Sequence, residues 1–289
     1  MDFNGFVSDI ISNNWNVFGA EVYENGHLAE SFGDTNDNFH DIYSATKTVL
    51  SIALGIAYDE GLIDLDRSVL YYLPDANVSK MPEARRKAFE LITIRRLLTM
   101  SVEDLPFRPA DDAESYLDFS LSCDIRHPER KSFNYSNISS YLVGVALTGA
   151  LGRDLGGFIE ERILDPLGIE RYEYGRCPEG YFYGASRMKL TVNGLSRIGL
   201  LLCNKGEYRG KRIVSEEYVS MATSIQQMNR EGGYGFFIWK YKEGFSINGK
   251  LKQKCYVLPD RGLVITYLSH IEDESNALKE SMEKHILGE

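Results

Sequence analysis

The hydrophobic positions of this chain follow two rhythms, and the change from one to the other places its elements. Residues 3–14 show the spacing of a short amphipathic helix. Val17–Val22 and Leu28–Phe32 then flank Asn25-Gly26, a dipeptide that closes tight hairpins because both residues tolerate positive φ. From Ser44 to Gly61 the run SATKTVLSIALGIAYDEG is apolar nearly all round at helical length, which predicts one buried helix ended by glycine. Residues 67–170 read as helices: Ser68–Leu73 stops at Pro74, Ile94–Met100 follows the basic run Arg85-Arg86-Lys87, and Ile138–Leu151 ends at Gly152. A helix over Thr191–Lys205 and a turn at Gly206–Gly210 come next. Strand-like runs follow at Tyr234–Tyr241, Cys255–Leu258 and Leu263–Leu268, and a last helix carries Ala277, Leu278, Met282 and Ile286 on one face.

Strands at both ends with helices between them predict an α+β fold, an antiparallel sheet flanked by helices with an all-α subdomain inserted. The expected division is a discontinuous sheet domain, 1–66 with 171–289, and a helical subdomain, 67–170, with the active site at their interface. No repeat, low-complexity tract or long linker interrupts the chain.

Composition narrows the function. With 289 residues, 43% hydrophobic and 26% charged, the chain is an ordinary globular one and not a disordered one. The net charge of −10 has the wrong sign for neutralising phosphates, so nucleic acid is excluded as an expected partner. Residues 1–60 hold ten carboxylates and a single cation, Lys47. Four cysteines, at 123, 177, 203 and 255, lie far apart without metal-ligand spacing and read as free thiols. The five histidines show no HExxH or HxH spacing, so the residues call for no metal and no cofactor. The apolar run Thr48–Tyr58 is too short to span a bilayer, and MDFNGFVSDI lacks the basic and apolar regions of a secretory signal; no membrane association and a cytoplasmic location are the expectation.

The candidate chemistry starts at Lys47. A lysine on an apolar helix loses hydration, which disfavours its charged form and leaves an amine able to accept a proton. Ser44 lies one turn earlier on the same face, at the helix amino terminus, where free N–H groups favour developing negative charge. The plain structural reading is that Ser44 caps the helix and Lys47 snorkels or pairs with a carboxylate. A second element, FNYSN at 133–137, leads into a helix: Tyr135 offers a phenol that can take or give a proton, and Asn137 an amide that can bind both a lysine and a substrate carbonyl.

Ser44-x-x-Lys47 with Tyr135-x-Asn137 resembles the serine β-lactamase and penicillin-binding-protein superfamily, in its class C β-lactamase-like and esterase branch. LITIRRLLTM at 91–100, ILDPLGI at 163–169, the 191–219 stretch with GEYRGK at 206–211, and Gly233-Tyr234-Gly235 extend the resemblance over roughly residues 15–270. It implies that Ser44 attacks a carbonyl to form an acyl-enzyme, that Lys47 and Tyr135 share the proton traffic, and that Asn137 orients the substrate. It also implies an oxyanion held by the backbone N–H of Ser44 and of a residue on a strand.

That strand is where the chain departs from the family. Ile247-Asn248-Gly249 stands where a Lys-Thr-Gly or His-x-Gly motif is expected, which makes Asn248, Gly249 and Lys250 the substrate-binding candidates, with Lys250 supplying the second oxyanion N–H. The missing cation binds a substrate carboxylate in the family. An isoleucine would present an apolar wall there, so neutral esters or amides are expected to be preferred over penicillins and D-Ala-D-Ala peptides, unless Lys250 or Lys252 replaces the charge. Gln253 falls in register with a glutamine of the esterase branch. The leading expectation is a serine hydrolase acting on a small-molecule ester, amide or lactam. The alternatives are a D-Ala-D-Ala peptidase or β-lactamase, and a non-catalytic binding or sensor protein on the same scaffold.

Overall fold

The computed structural model describes residues 1–289. Eleven strands are present: β1 (Val17–Glu24), β2 (His27–Gly33), β3 (His40–Asp41), β4 (Tyr172–Tyr174), β5 (Met188–Leu190), β6 (Glu207–Tyr208), β7 (Lys211–Arg212), β8 (Trp239–Tyr241), β9 (Gly244–Gly249), β10 (Gln253–Leu258) and β11 (Leu263–Ser269). The α-helices are α1 (Phe3–Ser12), α2 (Thr46–Asp59), α3 (Asp75–Val78), α4 (Glu83–Glu90), α5 (Ile94–Leu98), α6 (Tyr116–Ser122), α7 (Asn137–Leu151), α8 (Leu155–Ile159), α9 (Val192–Cys203), α10 (Glu216–Thr223) and α11 (Ala277–Met282).

Six strands form one sheet in the order β2-β1-β11-β10-β9-β8, so the amino-terminal hairpin is completed by the carboxy-terminal strands. Every pairing in it is antiparallel. The α+β class with an antiparallel sheet and inserted helices, expected from the order of periodicities, is the architecture observed.

Strand alternation sends side chains to two different cores. On the inner face Val264 and Leu268 of β11, Cys255 and Val257 of β10, and Phe245 and Ile247 of β9 join a cluster of 69 buried apolar residues that also takes in α2, α5, α7 and α9. On the outer face Ala20, Val22, Tyr256, Leu258, Ile265 and Tyr267 meet the terminal helices α1 and α11 in a second cluster of 16. A 3₁₀ turn, Tyr43–Ala45, precedes α2 where one helix from Ser44 was expected. Tyr234–Ile238 is not strand: Phe237 takes φ 59 and its N–H turns to Leu98 O, so only Trp239–Tyr241 pairs with β9. Helix α7 ends as predicted at Gly152, whose φ of 62 favours glycine. No single helix is long and apolar enough to cross a membrane.

Candidate active site

Ser44 is held by a strained turn. Tyr43, immediately before it, has φ 48, a left-handed conformation that costs a non-glycine residue free energy, and its carbonyl accepts from Thr46 Oγ1 at 2.7 Å. The end of β9 presses against this segment: a Cβ on Gly249 would lie 2.2 Å from Ile42 O, so only glycine lets the strand approach so closely. The sheet edge and the nucleophile candidate are thereby fixed to each other.

Lys47 is 1% exposed and has no carboxylate partner. Its Nζ lies 3.2 Å from Ser44 Oγ, 2.8 Å from Asn137 Oδ1 and 2.7 Å from Ala185 O. Burial without a counter-charge pulls its pKa down to about 7. A neutral amine has two hydrogens and one lone pair. The amide oxygen and the Ala185 carbonyl can only accept, so they take the two hydrogens and leave the lone pair for the Ser44 hydroxyl.

Tyr135 completes the cluster. Lys47 Nζ sits 5.0 Å from the centre of its ring, and burial pushes the phenol up to about 12, with the neighbouring Ser44 hydroxyl pulling the other way. The phenol is therefore a proton donor at neutral pH. Tyr135 and Asn137 owe their positions to their neighbours. Asn134 Nδ2 donates to Val102 O and Leu105 O, Ser136 Oγ donates to Pro106 O while capping α7, and Asn137 N donates to Phe107 O. Arg96 pins the approach to this loop by donating to the carbonyls of Leu91, Ser101, Pro128 and Arg130.

The structure thus brings Ser44, Lys47, Tyr135 and Asn137 together and sets Gly249 beside them. Asn248 and Lys250 are placed differently. Asn248 points to the outer face of the sheet, with an Oδ1 that is buried and unpartnered. Lys250 is exposed, at the start of a turn in which Leu251 and Lys252 have φ of 60 and 66. Ile247 is fully buried in the inner core, so it walls no cleft, and the argument for neutral substrates that rested on it loses its footing. Lys252 Nζ is tied to Ser275 O. Gln253 is a clamp between strands, donating to Ser269 O at 2.5 Å and accepting from Ser269 N at 3.0 Å.

Other parts of the site were not legible in the motifs. The Ala185 carbonyl carries no side-chain signal at all. Aromatic rings frame Tyr135: Trp239 at 5.6 Å, Tyr234 at 6.4 Å, and Phe107, exposed at the rim, at 6.4 Å. Of the run Phe236, Phe237, Trp239 and Tyr241, only Trp239 reaches the site, whereas both phenylalanines are core. His40 stacks on Phe18 with ring centres 3.8 Å apart.

With fold and site in place, the chain can be set beside known proteins. The Beta-lactamase family profile matches residues 19–286, and the protein belongs to that family. Among solved structures it is similar to a protein of Bacillus anthracis named as a 6-aminohexanoate-dimer hydrolase, with TM-score 0.79, 19% identity, and coverage of 96% of this chain and 80% of that one. It is also similar to FmtA from Staphylococcus aureus, with TM-score 0.77, 15% identity, and 99% and 88% coverage. A penicillin-binding protein homologue from Caulobacter crescentus gives TM-score 0.74, 15% identity, and 94% and 92% coverage. No curated protein sequence matches.

Proposed function

We propose that the protein is a serine hydrolase that cleaves a small ester or amide through an acyl-enzyme on Ser44. The observation that carries this reading is the amine of Lys47: buried, free of any carboxylate, and 3.2 Å from Ser44 Oγ. At an ordinary lysine pKa of 10.5 only ~1 in 3,000 molecules would hold a neutral amine at pH 7, whereas at about 7 half do.

In the first step the Ser44 oxygen attacks the carbonyl carbon as its proton passes to Lys47 Nζ. The resulting oxyanion would lie against the backbone N–H groups of Ser44 and Lys250. Collapse expels the alcohol or amine, protonated by the Lys47 ammonium or through Tyr135, and leaves the acyl group on Ser44. Water, deprotonated by the same amine, then releases the acid. Asn137 holds the amine in place and can turn its nitrogen toward the substrate carbonyl. A structural neighbour named as a 6-aminohexanoate-dimer hydrolase supports the hydrolase side of this reading.

The test is the intact mass of the protein after exposure to a fluorophosphonate, an activated short-chain ester and a penicillin, followed by peptide mapping. An adduct on Ser44, absent from Ser44→Ala, is the expected result. An adduct on another serine, or none with any of the three, overturns the assignment. Ser136 and Ser246 are poor competitors, being 0% and 3% exposed.

A further inference from the structure

The two acceptors that orient the Lys47 amine come from different parts of the chain: Asn137 opens α7, and Ala185 lies on the strap 175–187 that leads into β5. The strap is closed on itself as a hairpin, with Gly175 N donating to Arg187 O, Tyr183 N to Gly175 O and Cys177 N to Tyr181 O. Its tip is thereby tied to Ala185. Tyr183, two residues before Ala185, meets Tyr141, one turn beyond Asn137 on α7, and Tyr116 of α6; the three ring centres lie 5.7 to 6.3 Å apart.

Glu179, at the tip of the strap, closes this triangle. Its Oε1 accepts from Tyr141 Oη at 3.1 Å, from Leu117 N at 2.6 Å and from Ser115 Oγ at 3.0 Å, so one carboxylate oxygen gathers α7 and the first turn of α6 onto the strap. It makes no ion pair; the titratable groups that face it are the phenols of Tyr141 and Tyr181 and the thiol of Cys177. Tyr141 is fully buried, and apart from the Cys177 thiol its hydroxyl has only Glu179 to bond, so taking the carboxylate away strands a buried phenol. Glu179 itself is exposed and fills no part of the core, so replacing it breaks these bonds without opening a cavity.

We propose that Glu179 is a positioning residue for the reaction: by clamping Tyr141 and the start of α6 to the strap, it sets the distance between the Asn137 amide oxygen and the Ala185 carbonyl and so aims the Lys47 lone pair at Ser44. The inference rests on the hydrolase reading and adds to it a residue that touches no reacting atom. Both acceptors sit at ordinary hydrogen-bond length from Nζ, 2.8 and 2.7 Å, so when the strap drifts from α7 one of these bonds must lengthen and water enters beside the amine. Lys47 is faced by the Tyr135 phenol and by no carboxylate, which leaves water as the group that can change its charge preference. Hydration favours the ammonium, so loosening the clamp raises the pH at which the amine is freed, whereas simple loss of the negative charge of Glu179 would lower it. The sign of the shift tells positioning from electrostatics.

The experiment follows the rising limb of kcat/KM with pH on p-nitrophenyl acetate in wild type, Glu179→Ala, Glu179→Gln and Tyr141→Phe. Glu179→Ala is expected to raise the midpoint by about one pH unit or more and to lower kcat/KM at pH 7 by about fivefold or more, with recovery at higher pH. Glu179→Gln keeps a carbonyl oxygen at the clamp and should stay near wild type. Tyr141→Phe removes one hydroxyl and keeps the ring; it should shift the midpoint in the same direction by less, and it carries the test if Glu179→Ala does not fold. A midpoint unmoved or lowered in the folded variants overturns the proposal, as does a shift in Glu179→Gln as large as that in Glu179→Ala. Titration of the Lys47 Cε signal by NMR, in lysine-labelled Ser44→Ala protein with the signal assigned by Lys47→Met, needs no turnover and separates the two readings. A midpoint that rises with Glu179→Ala upholds the positioning role even if the wild type hydrolyses no ester, in which case the hydrolase reading falls. Ester turnover with an unmoved Lys47 midpoint leaves the hydrolase and removes the positioning role.

Discussion

Replacing Asn137 by aspartate would set a carboxylate at the position now 2.8 Å from Lys47 Nζ, and the consequence can be worked through before it is measured. Lys47 is active as the neutral amine, so with its pKa held at about 7 by burial, kcat/KM should rise with pH through that value and level off above it. Below it the slope is about tenfold per pH unit. An opposite charge in contact favours the ammonium and raises a lysine by ~1–3 units, which moves the rising limb to roughly pH 8–10. At pH 7 the neutral fraction then falls from about a half to between ~1 in 10 and ~1 in 1,000, a loss of about 5- to 500-fold that is recovered as the pH rises. Asn137→Ala removes an acceptor without adding charge and should leave the midpoint low. The assay is initial-rate hydrolysis of p-nitrophenyl acetate from pH 5.5 to 10, corrected for background. A wild-type profile with no inflection between pH 6 and 8 would refute a neutral-lysine mechanism. A variant equally slow at every pH would show that Asn137 acts by positioning alone.

Lys47→Met should abolish turnover yet raise Tm. The folded pKa is depressed, so the unfolded chain binds more protons between pH 7 and 10.5, and the lysine's cost to stability is full below pH 7 and fades as pH climbs through that window. Removing it should gain a few kcal/mol, several degrees for a chain of this size, when thermal unfolding is followed at pH 6.5. No gain in Tm would mean that the amine is better solvated than its surroundings indicate. Lys47→Ala, Tyr135→Phe and the double variant should lose similar amounts of kcat/KM, because the two groups handle one proton path; multiplicative losses would show independent action. Arg96→Met leaves four carbonyls without their donor and should destabilise the fold by ~3 kcal/mol or more, measured by denaturant unfolding, and an effect under ~1 kcal/mol would deny the arginine its part in holding the loop before Tyr135.

What the sequence determined by itself was whatever depends on near neighbours. Ser44 and Lys47 are one helical turn apart, so any helix in that run puts them on one face. Tyr135-x-Asn137 before an apolar run places both at a helix amino terminus, and Asn25-Gly26 closes the first hairpin because its backbone freedom is a property of two residues. The tertiary structure decided everything that depends on which surfaces meet. Tyr234–Ile238 has the composition of a strand, but Tyr234, Phe236 and Phe237 give their amides to the carbonyls of Gln227, Ala222 and Leu98, and the Phe237 carbonyl accepts from Thr48 of α2. The Ala185 carbonyl that fixes one hydrogen of Lys47 is backbone, identical in every residue, and arrives from 138 positions away. The third motif shows the division most clearly. The resemblance placed Ile247-Asn248-Gly249 on a strand with Ile247 toward the cleft, but a strand presents successive side chains to opposite sides, and which side looks inward depends on what the strand packs against. Pairing with β10 buries Ile247 in the core and turns Asn248 outward beside Lys254, a residue no local pattern distinguished.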